Sequence, residues 1–113
     1  MEVKYYITDG GRNPVREWQD GFDNHTKAKI DAKIGRLRLS NLGGCKPVGG
    51  GVHELVVDSG PGYRIYFGTQ GDELIMLLCA GTKRRQQPDI DLAKEYWAAY
   101  KKSLRIKGKD KAR

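Results

Sequence analysis

The chain has 113 residues, 38% of them hydrophobic and 31% charged, and a formal net charge of +7. That length supports one domain with one modest core, and the longest apolar run, Leu74 to Ala80, is far too short to cross a bilayer. The start, MEVKYYITDGG, lacks the basic region, apolar stretch and small-residue cleavage pattern of a secretory signal, so a cytoplasmic protein is expected.

In chain order, VKYYIT (3–8) has the β-branched and aromatic composition of a strand and is stopped by Asp9-Gly10-Gly11. Asn13-Pro14 supplies an N-cap followed by proline at the first helical position. A short helix over 14–22 is predicted, with Val15, Trp18 and Phe22 on one face. A second helix begins near Asn24 and continues to about residue 40, because Ile30, Ile34 and Leu37 recur at i, i+4 and i+7. The two form a helical hairpin. NLGGCKPVGGG (41–51), with five glycines and one proline, is expected to be a loop.

Three strand patterns follow, over 52–58, 63–69 and 73–80, separated by the turn sequences DSGPG and Gln70-Gly71-Asp72. They predict an antiparallel meander. The third, LIMLLCA, is apolar throughout, as a strand covered on both faces requires. A last helix is expected from Pro88 to about Ser103, its apolar stripe formed by Ile90, Ala93, Trp97, Tyr100 and Leu104. The fold class is therefore α+β in the order β-α-α-β-β-β-α: a curled antiparallel sheet packed on a helical hairpin, over residues 1–103, followed by a basic tail, 104–113.

Charge is unevenly spread. Residues 101–113 hold seven cations against one anion, whereas residues 1–100 hold fourteen against thirteen. The excess lies in the tail, so net charge alone argues only weakly for a nucleic-acid partner. Cys45 and Cys79 are expected to be free thiols, and with only His25 and His53 and no close Cys/His/Asp cluster, neither a metal nor another cofactor is expected.

The feature that calls for an explanation is Arg64, inside an otherwise apolar strand. Alternation puts Tyr63, Ile65 and Phe67 on one face, and Gly62, Arg64, Tyr66 and Gly68 on the other. The second face offers a guanidinium beside small residues, where a phosphate is gripped bidentately. The alternative is an arginine paired with Glu54 or Asp58 across the hairpin. Lys83, Arg84 and Arg85 cluster where the chain leaves the last strand, near the end of the same face. His53 shares the face of Leu55 and Val57 and is read as a hydrogen-bonded structural histidine.

The ordered set NPVREW, GRLRLSNLG, KPVGGGVHEL, DSGPGYRIYFG, LLCAGTK and Gln86 before DIDLAKEYW resembles the RelE/HigB superfamily of toxins from type II toxin-antitoxin modules. It is most similar to the phage-derived branch of HigB-like addiction module killer proteins. The match covers residues 3–100. The resemblance implies a metal-independent endoribonuclease that cuts messenger RNA, commonly on the ribosome. A small helix-turn-helix antitoxin holds such a toxin inactive and provides its contact with operator DNA. Arg64 matches the family's strand arginine, and Lys83, with Arg84, the basic position after the following strand. Two departures stand out: Val52 and Glu54 replace the prototype's paired lysines, and its C-terminal tyrosine has no counterpart.

Cleavage of RNA without a metal needs a group to take the ribose 2′-proton, a cation to stabilise the phosphorane and a donor to the leaving 5′-oxygen. Arg64 suits the second role, Lys83 the second or third, and Glu54 the first. Lys46, Arg84 and Arg85 are candidate phosphate contacts, and Tyr66 a candidate stacking surface for bases. Two other functions remain open for such a chain: a non-catalytic nucleic-acid-binding module within an antitoxin complex, and a gyrase poison like the related ParE toxins.

Overall fold

The computed structural model describes the backbone of residues 1–111 and the side chains of residues 1–106. Its elements are β1 (Glu2–Tyr5), α1 (Pro14–Asp20), α2 (Asn24–Arg38), β2 (Cys45–Gly49), β3 (Val52–Val57), β4 (Tyr63–Gln70), β5 (Leu74–Thr82), a 3₁₀ turn (Lys83–Arg85) and α3 (Gln86–Lys111). Together they make an α+β fold with one five-stranded mixed sheet, ordered β1-β5-β4-β3-β2, and three α-helices among the described residues.

Local chemistry explains the helix starts. The Asn13 side chain accepts from the Arg16 N–H at 3.0 Å with Pro14 opening α1, and Asp23 accepts from the Thr26 N–H at 2.8 Å to begin α2. Both helices stop slightly before the expected residues. The third begins earlier, at Gln86, and runs through Ser103 to Lys111, so the first part of the expected tail continues the helix. Ala112 and Arg113 of that tail lie outside the described residues.

Two expectations about the sheet need correction. The glycine-rich segment is not all loop: Cys45–Gly49 pairs antiparallel with β3, bringing Lys46 opposite Glu54 and Pro47 opposite His53. Pro47 is tolerated because β2 is an edge strand with one side free of ladder bonds. The glycines lie at its ends, where Gly49, Gly50 and Gly51 all take positive φ (97°, 64° and 80°) to reverse the chain into β3. Nor is the sheet wholly antiparallel. The strand β1 lies parallel to β5, with Val3 opposite Ile75 and Tyr5 opposite Leu77, after the intervening helices have carried the chain across one face.

Both faces of the sheet are covered. One core gathers Ile30, Ile34 and Leu37 of α2 and Val15 of α1 against Leu55, Ile65, Phe67 and Leu77. The other packs Ile90, Ala93 and Trp97 of α3 on Val52, Tyr66, Leu78 and Cys79. The second face of β4, expected to lie open, is therefore roofed by α3 except near Arg64. Gly68 lies directly against the Trp97 indole, and Gly81 against the Asp89 carboxylate, so the small residues there admit a helix. Cys45 and Cys79 are free and belong to opposite faces. No helix among the described residues is long and apolar enough to cross a membrane.

Candidate active site

Arg64 sits on β4, flanked in register by Val56 on β3 and Gly81 on β5. Its Nη1 donates to Glu54 Oε1 at 2.8 Å, and its side chain is 13% exposed, so one edge of the guanidinium reaches solvent. Pairing with Glu54 is the alternative that the strand pattern had left open. Glu54 itself is fully buried; its second oxygen accepts from Gln86 Nε2 at 2.7 Å, and Lys46 Nζ stands 3.6 Å from the first. A single carboxylate thus gathers donors from β2, β4 and the first residue of α3. Buried charge survives only with such partners.

Lys83 reaches the same place through the backbone. The β3–β4 turn folds on itself through the Gly62 N–H to Ser59 C=O bond at 2.9 Å, and the Lys83 N–H then donates to Gly62 C=O at 3.2 Å. Gly62 is suited to this place by its positive φ of 84°, not by space, since a Cβ would stand at an ordinary 3.8 Å from Lys83 Cβ. This contact docks the 3₁₀ turn on the hairpin. Arg64 and Lys83 consequently line one open cleft of about 260 Å³, whose walls include Asp58, Tyr63, Gly62 and Val56. Arg64 Nε is buried without a protein partner.

The other expected site residues are distributed unevenly. Arg84 and Arg85 are exposed on the turn beside Lys83 but do not line the cleft. Lys46 is exposed on the sheet edge, next to Glu54. Two assignments are corrected. Glu54 cannot serve as a general base for a bound ribose, because it is 0% exposed and both oxygens are occupied. Tyr66 cannot stack on a base, because it lies 0% exposed beneath α3. Burial, with the charges of Glu54 and Asp89 added, pushes its phenol well above the usual range, and its hydroxyl has no protein partner.

Asp58 was missed as a site residue. It is exposed at the end of β3 and lines the cleft with both cations, which makes it the accessible carboxylate there. The sequence signal was its place at the head of DSGPG, directly before the turn that carries Gly62. His53 also differs from expectation: it stacks on Phe67 with centroids 5.5 Å apart, and its buried Nδ1 has no hydrogen-bond partner.

In the first turn of α3, Asp89 is nearly buried against Gly81, and burial raises its carboxyl pKa despite the opposing charge of Arg85. The Cys79 thiol donates to the Asp89 carbonyl at 3.3 Å and is pushed up to about 12, first by burial and then by the Asp89 charge. Both residues also border a separate hollow of about 390 Å³, whose walls include Arg12, Glu17, Trp18 and Tyr96. Among the described residues, no three His, Cys, Asp or Glu side chains gather in a metal-holding group.

No protein-family model matches the chain. Over 78 residues it is 48% identical to an uncharacterized protein of Haemophilus influenzae, an alignment that takes in 68% of this chain and 79% of that protein. The chain belongs to the same family as that Haemophilus influenzae protein.

Proposed function

We propose that this chain is the toxin of a type II toxin-antitoxin module: a RelE/HigB-like, metal-independent messenger-RNA endoribonuclease that acts on the ribosome and is restrained by a small helix-turn-helix antitoxin. The observation that carries this reading is the convergence of Arg64 and Lys83 on one open cleft. The ordered motifs of the sequence agree with it.

Glu54 fixes one edge of the Arg64 guanidinium and aims the rest at the cleft. A scissile phosphate seated there meets a permanent cation whose planar donors match its oxygens. Asp58 takes the 2′-proton as the 2′-oxygen attacks phosphorus. Arg64 stabilises the charge that develops on the phosphorane, a contribution of about 3 kcal/mol for one well-aimed donor. Lys83 then protonates the departing 5′-oxygen as its bond to phosphorus breaks, leaving a 2′,3′-cyclic phosphate and a 5′-hydroxyl.

A second reading, a module that binds nucleic acid without cutting it, draws on the locked state of Glu54, since the carboxylate nearest Arg64 has no free oxygen. Induction of the parent, Arg64→Ala, Lys83→Ala and Asp58→Asn, followed by growth measurement and mapping of transcript 5′ ends, separates the two. The toxin reading requires new message ends from the parent and at least a hundredfold fewer from Arg64→Ala. No new ends from the parent would leave the binding module, and DNA breakage with intact messages would indicate a gyrase poison.

A further inference from the structure

A second cleft adjoins the first. It has a volume of about 320 Å³, lies between α2 and the end of β3, and is lined by Lys29, Lys33 and Arg36 with Ala32, Val57 and Asp58. Asp58 also lines the Arg64/Lys83 cleft, so the two hollows share a rim. The cations recur at i, i+4 and i+7 and therefore form one row about 10 Å long on one side of α2. Beside that row, Ile30, Ile34 and Leu37 anchor the helix in the core, so the row is held on a rigid support. Among the described residues, Lys29, Lys33, Arg36 and Lys83 form no ion pair; the carboxylates that pair elsewhere serve Lys4, Arg12, Lys46 and Arg64.

We infer that an RNA strand held at Arg64 and Lys83 continues across the Asp58 rim into the α2 cleft, where Lys29, Lys33 and Arg36 hold successive phosphates. This deepens the ribonuclease reading and rests on it for the identity of the ligand. Unpaired cations along a concave surface suit a flexible polyanion whose backbone follows the groove. Ala32 and Val57 give that groove an apolar floor, and they cannot compete with the cations for phosphate. The lone carboxylate on the rim repels phosphate, so the strand crosses there with a ribose rather than a phosphate against Asp58. That placement also presents a 2′-hydroxyl to the accessible carboxylate of the first cleft.

The test is fluorescence anisotropy on the full chain with a labelled twelve-nucleotide RNA, 2′-O-methylated to prevent cleavage, over a salt series. The triple variant Lys29→Gln/Lys33→Gln/Arg36→Gln should lower the slope of log affinity against log salt by about 2, since each phosphate contact on a single strand contributes roughly 0.7. The charge-keeping Lys29→Arg/Lys33→Arg variant should retain the parent slope, and thermal melting verifies that each variant is folded. A trinucleotide that fills only the first cleft should bind parent and triple variant alike.

An unchanged slope for the triple variant, or no RNA binding by the parent, overturns the inference. So does an α2-dependent affinity for a twelve-residue polyglutamate with none for RNA, which would mark an acidic protein partner. The outcomes separate from those of the ribonuclease reading. Message cleavage by the parent with an unchanged slope removes the track alone, whereas an α2-dependent slope without cleavage removes the nuclease alone.

Discussion

Gln86 donates from Nε2 to Glu54 Oε2 at 2.7 Å, which ties the first residue of α3 to the middle of β3. Arg64 holds the other oxygen at 2.8 Å, so one buried carboxylate joins a helix to two strands. Replacing Glu54 by alanine strands a largely buried guanidinium and should cost about 3–5 kcal/mol. Thermal unfolding followed by circular dichroism should show Tm lower by at least about 12 °C. Glu54→Gln should recover part of that loss. A Tm within two degrees of the parent for the alanine variant would mean that the network is incidental to stability.

Gly68 is needed for space rather than for backbone freedom. It is buried in β4 without a positive φ, and a Cβ there would enter the Trp97 ring. Gly68→Ala should destabilise by about 1–3 kcal/mol through overpacking. Combining it with Trp97→Leu should cost less than the two single changes added together, a coupling that urea denaturation of the four proteins of the cycle will measure. Strict additivity would contradict the direct contact.

The two thiols should differ in reactivity. Cys79 is buried and its thiol is pushed up to about 12, while Cys45 is partly exposed and only raised by burial, with the charge of Lys33 opposing the rise. Alkylation at pH 8 followed by mass spectrometry should label Cys45 slowly and Cys79 only after denaturation. Equal labelling of both in the native protein would contradict the packing of α3 on the sheet.

Asp89 sets a pH dependence whose sign follows from burial. Its folded-state pKa is raised above the ordinary carboxylate value, so its contribution to stability is present in acid and is lost as pH rises through that folded value. Asp89→Asn should therefore stabilise the protein at pH 7 by a few degrees in Tm. The gain should vanish towards pH 3. A larger gain in acid than at neutrality would reverse the assignment.

Local sequence patterns account for most of the fold. The cap at Asn13, the row Ile30-Ile34-Leu37 and the turn around Gly60-Pro61-Gly62 each state their own conformation, and all occur near the expected positions. Pairing partners are a different kind of information. Nothing in VKYYIT specifies that it lies parallel to a strand some seventy residues later, and nothing in CKPV marks it as an edge strand until β3 is beside it. The face of β4 that bears Arg64 departs furthest from its sequence pattern. Gly68, one of the small residues beside Arg64, leaves room for the Trp97 ring and not for a ligand, because the apolar stripe Ile90, Ala93 and Trp97 needs a surface on which to bury itself. Glu54 and Tyr66 disappeared beneath the same helix. Arg64 kept an outlet because the stripe of α3 begins only at Ile90, beyond the turn that carries Lys83.

The parallel placement of β1 has a consequence for the order of assembly. Synthesis proceeds from the N-terminus, yet Glu2–Tyr5 finds its ladder only against Leu74–Leu77. The chain must therefore be made through Leu77 before β1 can dock, and contacts so distant in sequence slow the search. Until then the backbone groups of β1 have no native strand to pair with. The β1 edge of the sheet therefore closes only after β5 has been made, whereas α1 and α2, whose backbone bonds are local, need not wait for it.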